Sequence, residues 1–170
     1  FLKAVGFIKE SFFNTFILFS DYYSFGKESE GDTKGVIEYL RNEKLKVYLV
    51  LSEENANKFA GTMSESVNGI IVYQGEATTE KFNSLLLKLK GEMLLKNKNA
   101  KLIAAVKDST DISKFNKRSV HGIMLEVNEN ADNQKLKKWN AAADVAGVDL
   151  IFSFDIKNTD SPDTLLKTVY

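Results

Sequence analysis

The 170-residue sequence contains no cysteine and a single histidine, His121, and its 23 Lys and Arg are matched by 23 Asp and Glu. Each shortage removes a class of chemistry. Without cysteine there is no thiol nucleophile, no CxxC redox pair, no iron–sulfur ligation and no thiolate zinc site. One histidine excludes a multi-histidine metal centre, so any metal site would have to be all-oxygen, and no residue pattern calls for a metal or another cofactor. Zero net charge argues against binding driven by nucleic-acid phosphates or by an anionic membrane surface, since both draw on an excess of Lys and Arg. No apolar run approaches the roughly 20 residues of a membrane span. The patterns GxxxxGK[ST], GxGxxG and GxSxG are all missing, so a phosphate cradle, a dinucleotide turn and a nucleophile elbow lack their fingerprints. A Ser-His-Asp arrangement would have to use His121. That residue stands at the amino end of a strand run, where a surface or structural role is expected.

With 44% hydrophobic and 27% charged residues, residues 1–170 read as one globular domain. A chain of this length buries roughly two thirds of its unfolded surface and needs no disulfide or metal to hold a core. Short apolar, β-branched runs alternate with longer amphipathic ones. Strands are expected over 15–20 (TFILFS), 45–51 (LKVYLVL), 69–73 (GIIVY), 101–106 (KLIAAV), 122–127 (GIMLEV) and 149–156 (DLIFSFDI). Most are nearly continuous in apolar character, the mark of strands covered on both faces. Helices are expected over 33–42, over 79–96 with Phe82, Leu85, Leu86, Leu89 and Met93 on one face, and over 132–146 with Gly147 as a stop. Thr78 or Thr79 caps the second of these. Residues 53–63 and 111–116 read as weaker helices, and 163–169 as a helix start after Pro162. Residues 1–13 fit either a helix, through Phe1, Val5, Ile8 and Phe12, or a strand that does not neighbour 15–20.

Strand starts recur about every 20–30 residues, the pace of βα units with parallel strands. The fold class is therefore α/β, with parallel strands alternating with helices. An internal echo supports repeated units. Ser66-Val67-Asn68-Gly69-Ile70 and Ser119-Val120-His121-Gly122-Ile123 share S-V-x-G-I, two βα units apart, each opening a strand.

Ligands of parallel α/β folds bind at the carboxyl ends of the strands. In chain order those ends carry Asp21 with Tyr22 and Tyr23, Ser52-Glu53-Glu54, Gln74-Gly75-Glu76, Asp108, Glu126 with Asn128 and Glu129, and Asp155. Carboxylates beside aromatic rings suit a sugar, with acids bonding hydroxyls and Tyr faces stacking on pyranose rings. Glu53, Glu54, Glu76 and Glu129 also read as helix caps. Glu126 and Asp155 stand out because each lies inside an apolar run, where an unpaired carboxylate is expensive. Lys81, Lys88, Lys90, Lys96, Lys98 and Lys101 form a basic stretch that reads as a solvated helix face.

The stretches Val67-Asn68-Gly69-Ile70-Ile71-Val72-Tyr73-Gln74-Gly75, then Phe82-Asn83-Ser84-Leu85-Leu86-Leu87-Lys88-Leu89, then Ala100-Lys101-Leu102-Ile103-Ala104-Ala105-Val106 resemble the fourth strand, following helix and next strand of the chitinase-like glycoside hydrolase family 18 barrel. Residues 45–51 look like the strand before them, so the resemblance spans 45–127 at most. That family carries D-G-x-D-x-D-x-E on the strand and protonates the glycosidic oxygen with the glutamate, while the substrate's acetamido group serves as nucleophile. With Gly69 at the family glycine, Asn68, Ile71 and Tyr73 stand at the aspartates and Gly75 at the acid. Glu76 falls one residue late, a shift that turns a strand residue to the other face.

The resemblance thus implies a (β/α) barrel of TIM type and a non-catalytic chitinase-like protein, glycan-binding or structural, with Tyr22, Tyr23, Tyr73 and Glu126 as ligand-binding residues. The alternative is a small α/β hydrolase of glycosidase type whose acid/base pair comes from Glu126 and Asp155, with Asp21 in support. A third reading is an assembly or storage domain whose 12 Phe and 6 Tyr serve the core and contacts with itself or a companion chain. A full barrel needs about 250 residues. The expected architecture is therefore a compact or incomplete barrel, or part of a larger one, with a doubly wound open sheet as the alternative. A start at Phe1 fits a processed product and tilts the compartment toward secretion, although no cysteine and no N-x-[ST] sequon add to that.

Overall fold

A computed structural model describes residues 14–19, 29–57, 65–127 and 133–154. In chain order the elements are β1 (Thr15–Phe19), α1 (Ser29–Asn42), β2 (Lys46–Ser52), β3 (Gly69–Tyr73), α2 (Thr79–Lys96), β4 (Lys101–Lys107), a 3₁₀ turn (Ile112–Lys114), β5 (Gly122–Val127), α3 (Asn133–Ala146) and β6 (Asp149–Phe154). A helical turn covers 53–57. The expected strands all form. The weak helix expected over 111–116 shrinks to the 3₁₀ turn, which Asp111 caps by accepting from the Ser113 N–H at 3.1 Å. The readings for 1–13 and 163–169 lie outside the described residues.

All six strands are parallel and lie side by side in sequence order, β1-β2-β3-β4-β5-β6. Among the described residues the order never reverses and has no switch point, so the doubly wound alternative is set aside. Because successive right-handed crossovers all leave in one direction, the helices fall on one face. Residue parity shows this directly. Val47, Leu49, Leu51, Ile70, Val72, Leu102, Ala104, Ile123 and Leu125 share the main core with Ile37 and Leu40 of α1, Phe82, Leu86, Leu89 and Met93 of α2, and Trp139 of α3. The opposite parity forms a second, strand-only cluster of Val50, Ile71, Ile103 and Ala105, with Tyr48, Tyr73 and Met124 packed on it. The sheet is a curled half-barrel with helices outside and this smaller cluster on its concave inner face.

Burial on both faces, expected for most of the strands, holds only in the middle of the sheet. On the inner face of the outermost strands, Ile17 and Phe19 of β1 and Ile151 of β6 are 45%, 43% and 38% exposed. Among the described residues each belongs to a strand with one sheet neighbour, so curling covers it from one side.

Local chemistry sets the helix boundaries. Thr78 caps α2, its hydroxyl accepting from the Lys81 N–H at 3.4 Å. α1 and α3 end alike. Lys44 N–H donates to the Arg41 carbonyl and Leu45 N–H to that of Leu40, while Gly147 N–H donates to Asp144 and Val148 N–H to Ala143. The residue between each pair of bonds is left-handed, Lys44 at φ 61° and Gly147 at φ 67°, as this helix ending requires.

Candidate functional site

The register stacks the inner-face residues in rows across the sheet. Near the carboxyl end one row runs Ser52, Tyr73, Ala105, Met124, Ile151, and the next runs Lys107, Glu126, Ser153. Tyr73 and Glu126, two of the sequence-derived binding residues, therefore face the same concave mouth from strands two apart. Their proximity has an electrostatic signature. Partial burial, and then the negative charge of Glu126, hold the Tyr73 phenol above its ordinary pKa. Asp21, Tyr22, Tyr23 and Asp155 lie outside the described residues.

Glu126 is exposed, although the apolar run around it suggested a buried carboxylate. Parity explains the difference: Leu125 and Val127 point into the helix-side core, whereas Glu126 sits in the last inner row, open to solvent. Lys107 and Ser153 flank it in register. Neither stood out in the sequence; their strand neighbours Val106 and Phe152 belong to the helix-side core, so alternation within each strand places both on the inner face.

Two of the other acids at this end, Glu53 and Asp108, hold loops in place. One Glu53 carboxylate oxygen accepts from the Gly75 N–H at 3.0 Å, so it ties the loop after β2 to the loop after β3. A Cβ added to Gly75 would lie 3.2 Å from that oxygen, so a neighbouring carboxylate crowds the position that matches the family's acid. Asp108 pairs with Lys135 of α3 at 2.9 Å, and the Lys135 ammonium lies 5.0 Å from the Trp139 ring centre. Gln74 donates from its side chain to the Ala77 carbonyl and accepts from the Thr110 hydroxyl, joining the loops after β3 and β4. Among the described residues no group of three His, Asp or Glu could hold a metal ion, and no helix is long and apolar enough to cross a membrane.

The amino end of the sheet is closed by the S-V-x-G-I repeat. Asn68 N–H donates to the Val47 carbonyl at 2.8 Å, and its side-chain Oδ1 accepts from the Val47 N–H at 2.8 Å. His121 N–H donates to the Leu102 carbonyl at 2.8 Å, and its Nδ1 accepts from the Leu102 N–H at 2.9 Å. The two residues make the same pair of bonds, each to the strand before its own. The glycines that follow serve close packing. A Cβ on Gly69 would overlap the Tyr48 ring and the Lys101 carbonyl, and one on Gly122 would lie 3.2 Å from the Asp149 carbonyl. Lys90, on the inward face of α2 and 7% exposed, donates to the carbonyls of Lys117 at 2.5 Å and Val120 at 2.9 Å. It is therefore a structural cation and not part of a solvated lysine face. Burial and the nearby Lys101 lower its pKa. His121 is a structural residue, as its place at the amino end suggested.

No protein-family model and no curated protein matches the sequence. Among solved structures the chain is similar to the crystal structure of the Clostridial cellulose synthase subunit Z (CcsZ) from Clostridioides difficile, with a TM-score of 0.70 at 13% identity over 95% of this chain and 75% of that one. At that identity the likeness is one of fold: strands and helices arranged as in CcsZ, with side chains that differ at most positions.

Proposed function

We propose that this half-barrel is a carbohydrate-associated protein of chitinase-like type that holds a glycan at the carboxyl-end mouth without cleaving it. The observation that carries the reading is the convergence of Tyr73 and Glu126 on one inner surface, with Ser52, Lys107 and Ser153 beside them. A half-buried phenol offers a flat apolar face to a pyranose ring, and the carboxylate, ammonium and hydroxyls supply acceptors and donors for sugar hydroxyls. Hydrolysis needs an acid that protonates the leaving oxygen. The position matching the family's acid is Gly75, and among the described inner-face residues at this end Glu126 is the one carboxylate. The fold likeness to a protein named as a cellulose synthase subunit agrees with a polysaccharide setting, and a secreted location goes with this reading.

The test is titration with soluble cello- and chito-oligosaccharides, followed by calorimetry and by assay for released sugars. Saturable binding that weakens in both Tyr73→Ala and Glu126→Gln, with no turnover, supports the proposal. Turnover abolished by Glu126→Gln would show instead a small hydrolase built on Glu126, with Asp155 and Asp21 as the carboxylates to examine next. Absence of binding to either oligosaccharide series sinks the glycan reading.

The half-exposed Ile17, Phe19 and Ile151 favour a second reading, an assembly domain that contacts another copy or a companion chain along these rims. Sedimentation showing a stable oligomer without glycan binding would favour it. A monomer at high concentration counts against self-association.

A further inference from the structure

The matched bonds of Asn68 and His121 differ in one chemical respect. Both side chains place an acceptor on the atom attached to Cγ, Oδ1 in Asn68 and Nδ1 in His121, and each receives a main-chain N–H from the preceding strand. An amide oxygen keeps its lone pairs at any ordinary pH. An imidazole nitrogen accepts only while it is bare, so this hydrogen bond requires a neutral ring with its proton on Nε2. Protonation puts a hydrogen on Nδ1 and sets donor against donor at the Leu102 N–H.

We propose that His121 is an acid-released latch: protonation of its ring converts the acceptor that holds Leu102 into a donor and loosens the amino ends of β4 and β5, while the equivalent Asn68 latch between β2 and β3 stays closed.

The surroundings make this junction the one where release matters. The His121 main chain is shared by three strands, since its N–H donates to Leu102 and its carbonyl accepts from the Asp149 N–H at 3.0 Å. The preceding carbonyl, that of Val120, accepts from the buried Lys90 ammonium. Among the described residues, the charged groups acting on the ring are Lys90 of α2, Lys101 of β4 and Asp149 of β6. Two cations against one carboxylate oppose an imidazolium. Burial is the largest influence, followed by Lys90 and Lys101; Asp149 and the hydrogen bond to Leu102 act in the opposite sense, and the ring pKa falls from 6.5 to about 4.

The sign follows. The folded junction holds its ring neutral down to about pH 4, whereas an opened one takes up a proton near pH 6.5. The open form therefore binds more protons between those values, and closure weakens as pH falls through that window. The full contribution is present above pH 6.5. Each pH unit below it shifts the opening equilibrium by at most about tenfold, and less where solvent reaches the ring.

Native-state amide exchange tests the latch, with the Val47 amide as an internal reference held by Asn68. In the wild-type chain, protection of Leu102 relative to Val47 should drop by about tenfold or more between pH 6.5 and pH 4. In His121→Asn the acceptor remains but no longer titrates, so the ratio should stay constant over the same range. Nitrogen chemical shifts of the imidazole at neutral pH should show Nδ1 bare and Nε2 protonated. A wild-type ratio that does not change from pH 6.5 to pH 4 overturns the proposal, as does His121→Asn losing Leu102 protection as the wild type does. The wild-type titration decides the matter alone should His121→Asn fail to fold.

Discussion

The two ends of the sheet are made of the same six strands and treat their polar groups in opposite ways. At the amino end the Asn68 and His121 acceptors and the Lys90 ammonium are bonded to main chain, and glycine stands where a side chain would overlap a neighbouring ring or carbonyl. At the carboxyl end the inner-face groups Tyr73, Lys107, Glu126 and Ser153 are half-buried or exposed, and the ties run through the loops around them. One end fixes strand register. The other leaves chemistry open to a ligand, the division of labour known from parallel barrels.

Substitutions that exchange the character of the two ends sharpen this comparison. Gly69→Val should have the largest effect, because the new side chain meets the Tyr48 ring and a main-chain carbonyl; a loss of about 2–3 kcal/mol is expected in urea unfolding. Gly75→Ala at the opposite end meets only the tip of Glu53, and should change stability by less than about 0.5 kcal/mol. Equal losses at the two glycines would break the comparison.

Lys90→Met keeps the apolar stem but leaves the Lys117 and Val120 carbonyls without their donor, for an expected loss of about 1–2 kcal/mol. The matched change at the mouth, Glu126→Gln, should leave the unfolding midpoint almost unmoved. Its effect belongs in a spectrophotometric titration: with the carboxylate charge removed, the Tyr73 phenol should ionise at lower pH, burial alone keeping it above the ordinary value. No change in that titration would separate the two side chains and weaken the site.

One further substitution should bring a gain. Lys44 holds a left-handed conformation that Gly147 fills at the equivalent end of α3. Lys44→Gly should therefore stabilise the chain by about 0.5–1 kcal/mol, once the added freedom of the unfolded glycine is deducted.

Much of the fold was legible because apolar runs and amphipathic spacing are local. The 69–73 and 122–127 strands and the 79–96 helix have the bounds read from the sequence. The S-V-x-G-I echo, only five residues long, marks a true repeat of hydrogen bonding. Less legible was anything set by what lies across the sheet. The apolar neighbours of Glu126 suggested burial, whereas parity in a curled sheet points them outward to the helices and Glu126 toward the mouth. Lys90 read as one of several solvated lysines, because the carbonyls it serves come from a loop 27 and 30 residues away. Lys107 and Ser153 became visible as site neighbours only once the register aligned them with Glu126.

The central claim is that the carboxyl-end inner face is the binding end, whereas the amino end holds the strands together and takes no ligand. A two-dimensional amide NMR titration of the wild-type chain with cello- and chito-oligosaccharides tests it most directly. Saturable shifts are expected at Ser52, Tyr73, Lys107, Glu126 and Ser153, with Val47, Asn68, Leu102 and His121 unmoved. Shifts centred on the amino-end residues, or no saturable shifts at all, would contradict the account.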